Sequence, residues 1–228
     1  MWWSDLFTDM NPTDFFNFSF LPKYGTAFVR GIEYTLLLAM MRLSKIKPIK
    51  WFAGAYIAVF RSTPMLVQLS IIYYGLFYAI SLPRLTLFGF VDISRFIPGV
   101  VALALNSSAY VAEIFRAGIL AVDKGQAEAA RSLGLSQWQS MRLVVLPQAV
   151  KNVLPALANE MVTMVKESSI CSVLGMAEMM FAAKTIAGST GISLAPYTLA
   201  ALVYFCINYP ASKGIEAIER RMRRGDKQ

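Results

Sequence analysis

The sequence predicts an all-α membrane protein of about five transmembrane helices, with its N-terminus outside and its C-terminus inside. Three observations predict it. Of 228 residues, 56% are hydrophobic and 16% charged, against about 45–50% and about 25% in soluble domains. A chain so poor in charge cannot cover that much apolar side chain in water. Runs of the length that crosses a bilayer, about 20 residues, recur along it. The basic residues fall between these runs, which is the pattern of membrane topology.

The first apolar candidate is 25–41; Ala27 to Met41 includes Arg30 and Glu33 and falls short of a comfortable span. The next are 62–82, 96–119, 152–183 (interrupted by Glu160, Lys166 and Glu167) and 194–212. Segments 42–50, 116–151 and 213–228 are rich in Lys and Arg and are expected on the cytoplasmic side. The N-terminal segment is acidic, 81–95 is weakly charged and 184–196 carries only Lys184, which places these outside. The start of the chain lacks the basic and apolar pattern of a cleaved signal, so the first spanning helix is expected to target it. With no internal repeat or soluble linker, residues 1–228 read as one membrane domain with a cytoplasmic loop at 120–150.

A net charge of +8 could point to nucleic acid, but its placement between apolar runs points to a membrane instead. The chain has no histidine, which removes the usual general base and metal ligand. Cys171 and Cys206 lie in apolar stretches and support neither a disulfide nor a metal site. No phosphate-cradling Gly-rich loop with Lys-Ser/Thr is present. Cofactors are therefore expected to be absent from this chain.

The 120–150 loop reads as two short helices. Asp123 can cap the first, and Gly134 suits the left-handed residue after its end. Ser136 with Gln139 makes a capping-box start for the second, which Pro147 closes or kinks. Ala127, Ala129 and Ala130 on the surface of the first would let it fit a partner's groove, with Glu128 and Arg131 adding polar contacts. A solvated surface hairpin is the other reading.

Glu128-Ala129-Ala130, three residues to Gly134, nine more, and then Val144-x-Leu146-Pro147 resembles the EAA motif of ABC importer permeases. The stretches 56–69, 108–116 and 166–170 are similar to the polar amino acid branch of that family, as is the ending Glu219-Arg220-Arg221-Met222. The resemblance implies a type I importer permease fold in the bacterial inner membrane. It also implies ATPase coupling through Glu128, Ala129, Ala130, Gly134 and Pro147. Its expected partners are ATP-binding cassette subunits that bind ATP and Mg, a second permease of the same or a sister chain, an extracytoplasmic amino-acid-binding protein, and membrane lipid. One departure stands out: after Tyr34 to Ala39 the family's first helix continues, whereas this chain turns to Met41-Arg42-Leu43-Ser44-Lys45. A permease-derived subunit that assembles without transporting is therefore an alternative. A membrane enzyme is a third, disfavoured by the missing histidine.

Two polar stripes lie at membrane depth. Asn159, Glu160, Thr163, Lys166 and Glu167 share a face at 100° per residue, and either line a pathway or pin neighbouring helices at a helix break. Asn106, Tyr110 and Glu113 share another, where Arg116 can pair with Glu113. Arg61, Thr63 and Pro64 read as an ordinary helix start, with Thr63 as its cap.

Overall fold

The structure, a computed structural model, describes residues 35–80, 86–87 and 91–224. Helical residues 35–43 form α1, followed by α2 (Lys47–Ser62) and α3 (Met65–Ile80). A two-stranded antiparallel hairpin, β1 (Thr86–Leu87) and β2 (Val91–Asp92), pairs Thr86 with Asp92. Then come α4 (Ile93–Leu120), α5 (Lys124–Ser132), α6 (Gln137–Leu174), α7 (Met179–Thr190) and α8 (Leu194–Arg224).

Of the described helices, α4 alone is long and apolar enough to cross a membrane by itself. The pairs α2 with α3 and α6 with α7 meet that test together, bent by 106° and 46°. At 31 residues α8 has the length, but Asn208 and Pro210 within it dilute its hydropathy.

Several expectations are corrected. The run 62–82 holds one helix, but it starts later than expected: Thr63 and Pro64 are both extended, and α3 starts at Met65. A residue before proline is driven out of the helical region, which places the break here. Thr63 is no cap, since its hydroxyl donates to Val59 O at 2.7 Å. The basic segment 42–50 is only partly a loop, because α2 begins at Lys47 with Pro48 in its first turn. The segment 152–183 spans the end of α6, a break around Gly175 and the start of α7. Of the two readings of Pro147, a close is overturned: α6 runs through it, directly after a π-turn at Met141–Val145. The wider turn accommodates a ring that has no N–H to give. Residues 25–34, on which the shortened first helix turns, lie outside the described residues.

The packing hub is α4, which meets α2, α3 and α6. Apart from Pro98 and Asn106, its buried positions are small: Gly99, Ala102, Ala109, Ala112 and Gly118. Small residues let helix backbones approach closely, which in lipid replaces the hydrophobic drive. Ala109 and Ala112 pack with Ala39 of α1 and Ile57 of α2, while Ala102 packs with Leu69 and Leu174. The Tyr56 hydroxyl donates to Leu105 O at 2.9 Å, tying α2 to α4. At the hairpin end, Arg95 Nη1 donates to Gly175 O at 2.9 Å across 80 residues. The Glu178 carboxylate accepts from Met180 N, Phe181 N and the Tyr204 hydroxyl, joining the α6–α7 break to α8. Large exposed side chains such as Ile71 and Tyr74 on α3 and Leu199 and Phe205 on α8 face outward, as a lipid or subunit surface requires. Past this apolar part, Lys213 Nζ donates to Glu216 at 2.9 Å, which raises the ammonium pKa and lowers that of the carboxyl.

A Cβ on Gly118 would overlap Val153 Cγ2, and Val153 is buried and β-branched, so it cannot easily turn away. Gly118→Ala is expected to destabilise the α4–α6 crossing by about 1–3 kcal/mol. The cost should shrink to about half or less in a Val153→Ala background. Equilibrium unfolding of the purified chain in mixed micelles checks both values.

Candidate functional site

The segment 123–140 folds as a helical hairpin whose ends are closed by its own side chains. The Asp123 carboxylate accepts from Gly125 N at 2.6 Å and caps α5. At its other end Leu135 N donates to Ala130 O and Gly134 N to Arg131 O, with Gly134 at φ +86°. These two bonds and the left-handed glycine make a Schellman end. Ser136 and Gln139 exchange both capping-box bonds, so α6 restarts one residue later.

The helical repeat sorts α5 into two faces. Ala130 is buried, and Ala127, half-buried, packs inward against Val122, Val145 and Ala149. Ser140 Oγ donates to Ala127 O at 3.3 Å, and the side chains of Gln126 and Gln148 bond at 3.1 Å. Ala130 is therefore not on the surface, which corrects the expectation, and it is Ala127 and Gln126 that fasten the hairpin to α6. Glu128 and Ala129 are exposed. Two large apolar side chains join them that the motif does not mark, Leu133 at 85% exposure and Trp138 at 70%. Their only sign in the sequence is that both interrupt an otherwise small and polar loop.

A second polar cluster sits at the α2–α3 elbow. Ordinarily Phe60 O would accept from the residue four ahead, but that is Pro64, which has no N–H. Gln68 supplies it: Nε2 lies 2.8 Å from Phe60 O, 2.9 Å from Thr63 O and 2.8 Å from Thr63 Oγ1. Its Oε1 accepts from Asn106 Nδ2 at 2.9 Å. Both amides are buried, so Asn106 of the predicted α4 stripe belongs to this elbow. Gln68 is not marked by hydropathy; its only signal is a lone amide four residues after a proline in an apolar run.

One turn further, Arg116 forks onto the Glu113 carboxylate, with Nε 2.8 Å from Oε2. Arg61 Nη1 lies 3.9 Å from the same group and its guanidinium stacks 5.4 Å from the Tyr110 ring. On α6, Asn159 and Lys166 are exposed and Glu160, Thr163 and Glu167 half-buried. The Thr163 hydroxyl donates to Asn159 O, and the helix tightens to a 3₁₀ form immediately after Glu167. Among the described residues, no group of three metal-ligating side chains converges.

Residues 34–224 match the family model of binding-protein-dependent transport system inner membrane components. The chain is 41% identical to the arginine transport system permease protein ArtQ of Bacillus subtilis, over 86% of this chain and 85% of that protein. It is 40% identical to a putative glutamine transport system permease protein GlnP of Rickettsia felis, over 88% of each. It also resembles a crystal structure of an amino acid ABC transporter with histidines, at TM-score 0.74 and 49% identity over 84% of this chain and 85% of that one. The inward-facing methionine transporter MetNI shares the fold, at TM-score 0.64 and 20% identity over 86% and 87%.

Replacing Gln68 by Leu strips a buried partner from Asn106 and a donor from Phe60 O, at a cost of about 1–3 kcal/mol. Asn106→Leu in the same chain is expected to cost much less than it does alone. A coupling energy of about 0.5–2 kcal/mol from the double-mutant cycle would report the shared bond, and additive effects would dissolve the network.

Proposed function

The chain belongs to the family of binding-protein-dependent transport system inner membrane components, and on that premise we propose that it is the permease subunit of a bacterial ATP-driven importer of polar amino acids. The observation that carries the substrate class is the set of relatives, named for transport of arginine, glutamine and, at 38% identity, glutamate and aspartate. ATP and Mg are held by cassette subunits on the cytoplasmic side, and an extracytoplasmic binding protein delivers the amino acid. A second permease, this chain or a sister, completes the pathway.

In the proposed topology five spans run from an external N-terminus to a cytoplasmic C-terminus. Since α2 meets α3 at 106°, the two cannot both follow the membrane normal. We place α3 across the bilayer and α2 along the cytoplasmic interface, where its basic start belongs. The hairpin 123–140 then projects into the cytoplasm. Exposed Glu128, Ala129, Leu133 and Trp138 support its docking into an ATP-binding subunit, with Ala130 and Gly134 shaping it from within and Pro147 following it on α6. The exposure of Asn159 and Lys166 supports a place for the α6 stripe beside the pathway between permeases.

Glu128→Arg and Ala129→Trp are expected to leave membrane insertion unchanged and to lower substrate-stimulated ATP hydrolysis and uptake at least about tenfold. Reconstituted vesicles with the cassette partner give both rates. Wild-type uptake in both variants would remove the coupling role. Gly134→Val strains a left-handed position by about 1–2 kcal/mol and should lower the yield of folded chain as well as uptake.

A further inference from the structure

A cavity of about 480 Å³ opens between the end of α1 and the start of α2, lined by Arg42, Lys47, Lys50, Trp51, Gly54 and Ala58. It adjoins a second of about 370 Å³ that shares Arg42 and reaches Arg61 and Glu113. The two cavities together are lined by four cations and one carboxylate, Glu113, which Arg116 and Arg61 already engage. The Arg42 guanidinium lies across Gly54, 3.5 Å from where a Cβ would stand. Its Nε is out of solvent and without a hydrogen-bond partner among the described residues.

The helix end at this cavity has the same want of negative charge. No side chain caps α2 at Ile46, and its first turn carries no acidic residue. Lys47 and Lys50 instead stand at the positive end of the helix dipole, an arrangement that an anion would relieve. Trp51, 75% exposed, and Phe52, 62% exposed, flank the charges. That pairing of cations with outward aromatics is the chemistry of the headgroup layer rather than of bulk water.

We propose that this cavity binds the phosphate of an anionic phospholipid from the cytoplasmic leaflet. Lys47 and Lys50 would contact the phosphate oxygens at the rim, Arg42 would donate from the floor, and Trp51 with Phe52 would lie against the glycerol and upper acyl chain. The placement of α2 at the cytoplasmic interface comes from the proposed topology; the binding measurement itself needs no transport activity.

The full-length chain in mild detergent, titrated with phosphatidylglycerol or phosphatidylcholine and weighed by native mass spectrometry, tests the site. Phosphatidylglycerol is expected to be retained preferentially, and Lys47→Gln with Lys50→Gln to weaken its retention about fivefold for each charge removed. Both lysines are exposed, so this pair of changes leaves the α1–α2 packing in place. Arg42→Gln probes the floor separately. Equal retention of the two lipids by the wild type, or wild-type retention in both variants, would overturn the proposal. So would displacement of phosphatidylglycerol by millimolar inorganic phosphate, which would mark a site for a soluble anion. Loss of uptake activity in the intact transporter bears on the permease reading alone.

Discussion

The close approach of other helices to α4 is the constraint on which the arrangement depends. A helix met by α2, α3 and α6 within one bundle must be thin on several sides. Ala102, Ala109, Ala112 and Gly118 make it so. In a bilayer, apolar bulk confers no preference between lipid and protein, so large side chains at these positions would gain nothing and would separate the backbones. The large residues lie outward instead, on α3 and α8. The polar links made by α4 itself, from Asn106 to Arg116, are then positioned by a helix whose neighbours are within backbone distance.

Breaking the chain at Thr63–Pro64 has a cost that α4 helps to meet. Two extended residues, one of them a proline, free carbonyls that no helix will bond, and in hydrocarbon an unpaired carbonyl is expensive. Gln68 folds back to Phe60 O and Thr63 O, and Asn106 holds Gln68 in that pose. The elbow is thereby a fixed angle, and a fixed angle determines where the charges of α2 go. Arg61 reaches Glu113 and Tyr110, while Lys47 and Lys50 remain at the far end beside Arg42.

Much of this was legible in residues whose signals are local. The run 96–119 lies within Ile93–Leu120, and Asp123, Gly134 and the Ser136–Gln139 pair each take the backbone role that their chemistry favours. What escaped depends on tertiary context. The helix α2 looked like a basic loop because its apolar positions are interleaved with Lys47, Lys50 and Arg61, the pattern of an interfacial helix rather than a span. Pro147 read as a stop or a kink because a π-turn before it leaves no local trace. Ala130 read as surface because three alanines in a row of four do not reveal which of them is buried. Gln68, Leu133 and Trp138 were invisible to hydropathy for the same reason: their roles lie in what surrounds them.

On the proposed coupling role, the form of α6 matters more than any single contact at the hairpin. It runs from Gln137 to Leu174 without an interruption larger than a change of helical pitch. From Gln137 to Glu160 is roughly 35 Å at 1.5 Å per residue. Its N-terminal end is clamped to α5 where Ser140 and Gln148 meet Ala127 and Gln126, and its middle to α4 where Val153 meets Gly118. A push on Glu128 and Ala129 therefore has no flexible joint in which to dissipate before it reaches the polar stripe at Asn159–Glu167. The first change of course comes at Gly175, in the left-handed conformation and held by Arg95 of α4. A displacement of the hairpin should thus move the stripe as a rigid rod about the α4 crossing, and the place where the chain yields is the break beyond it.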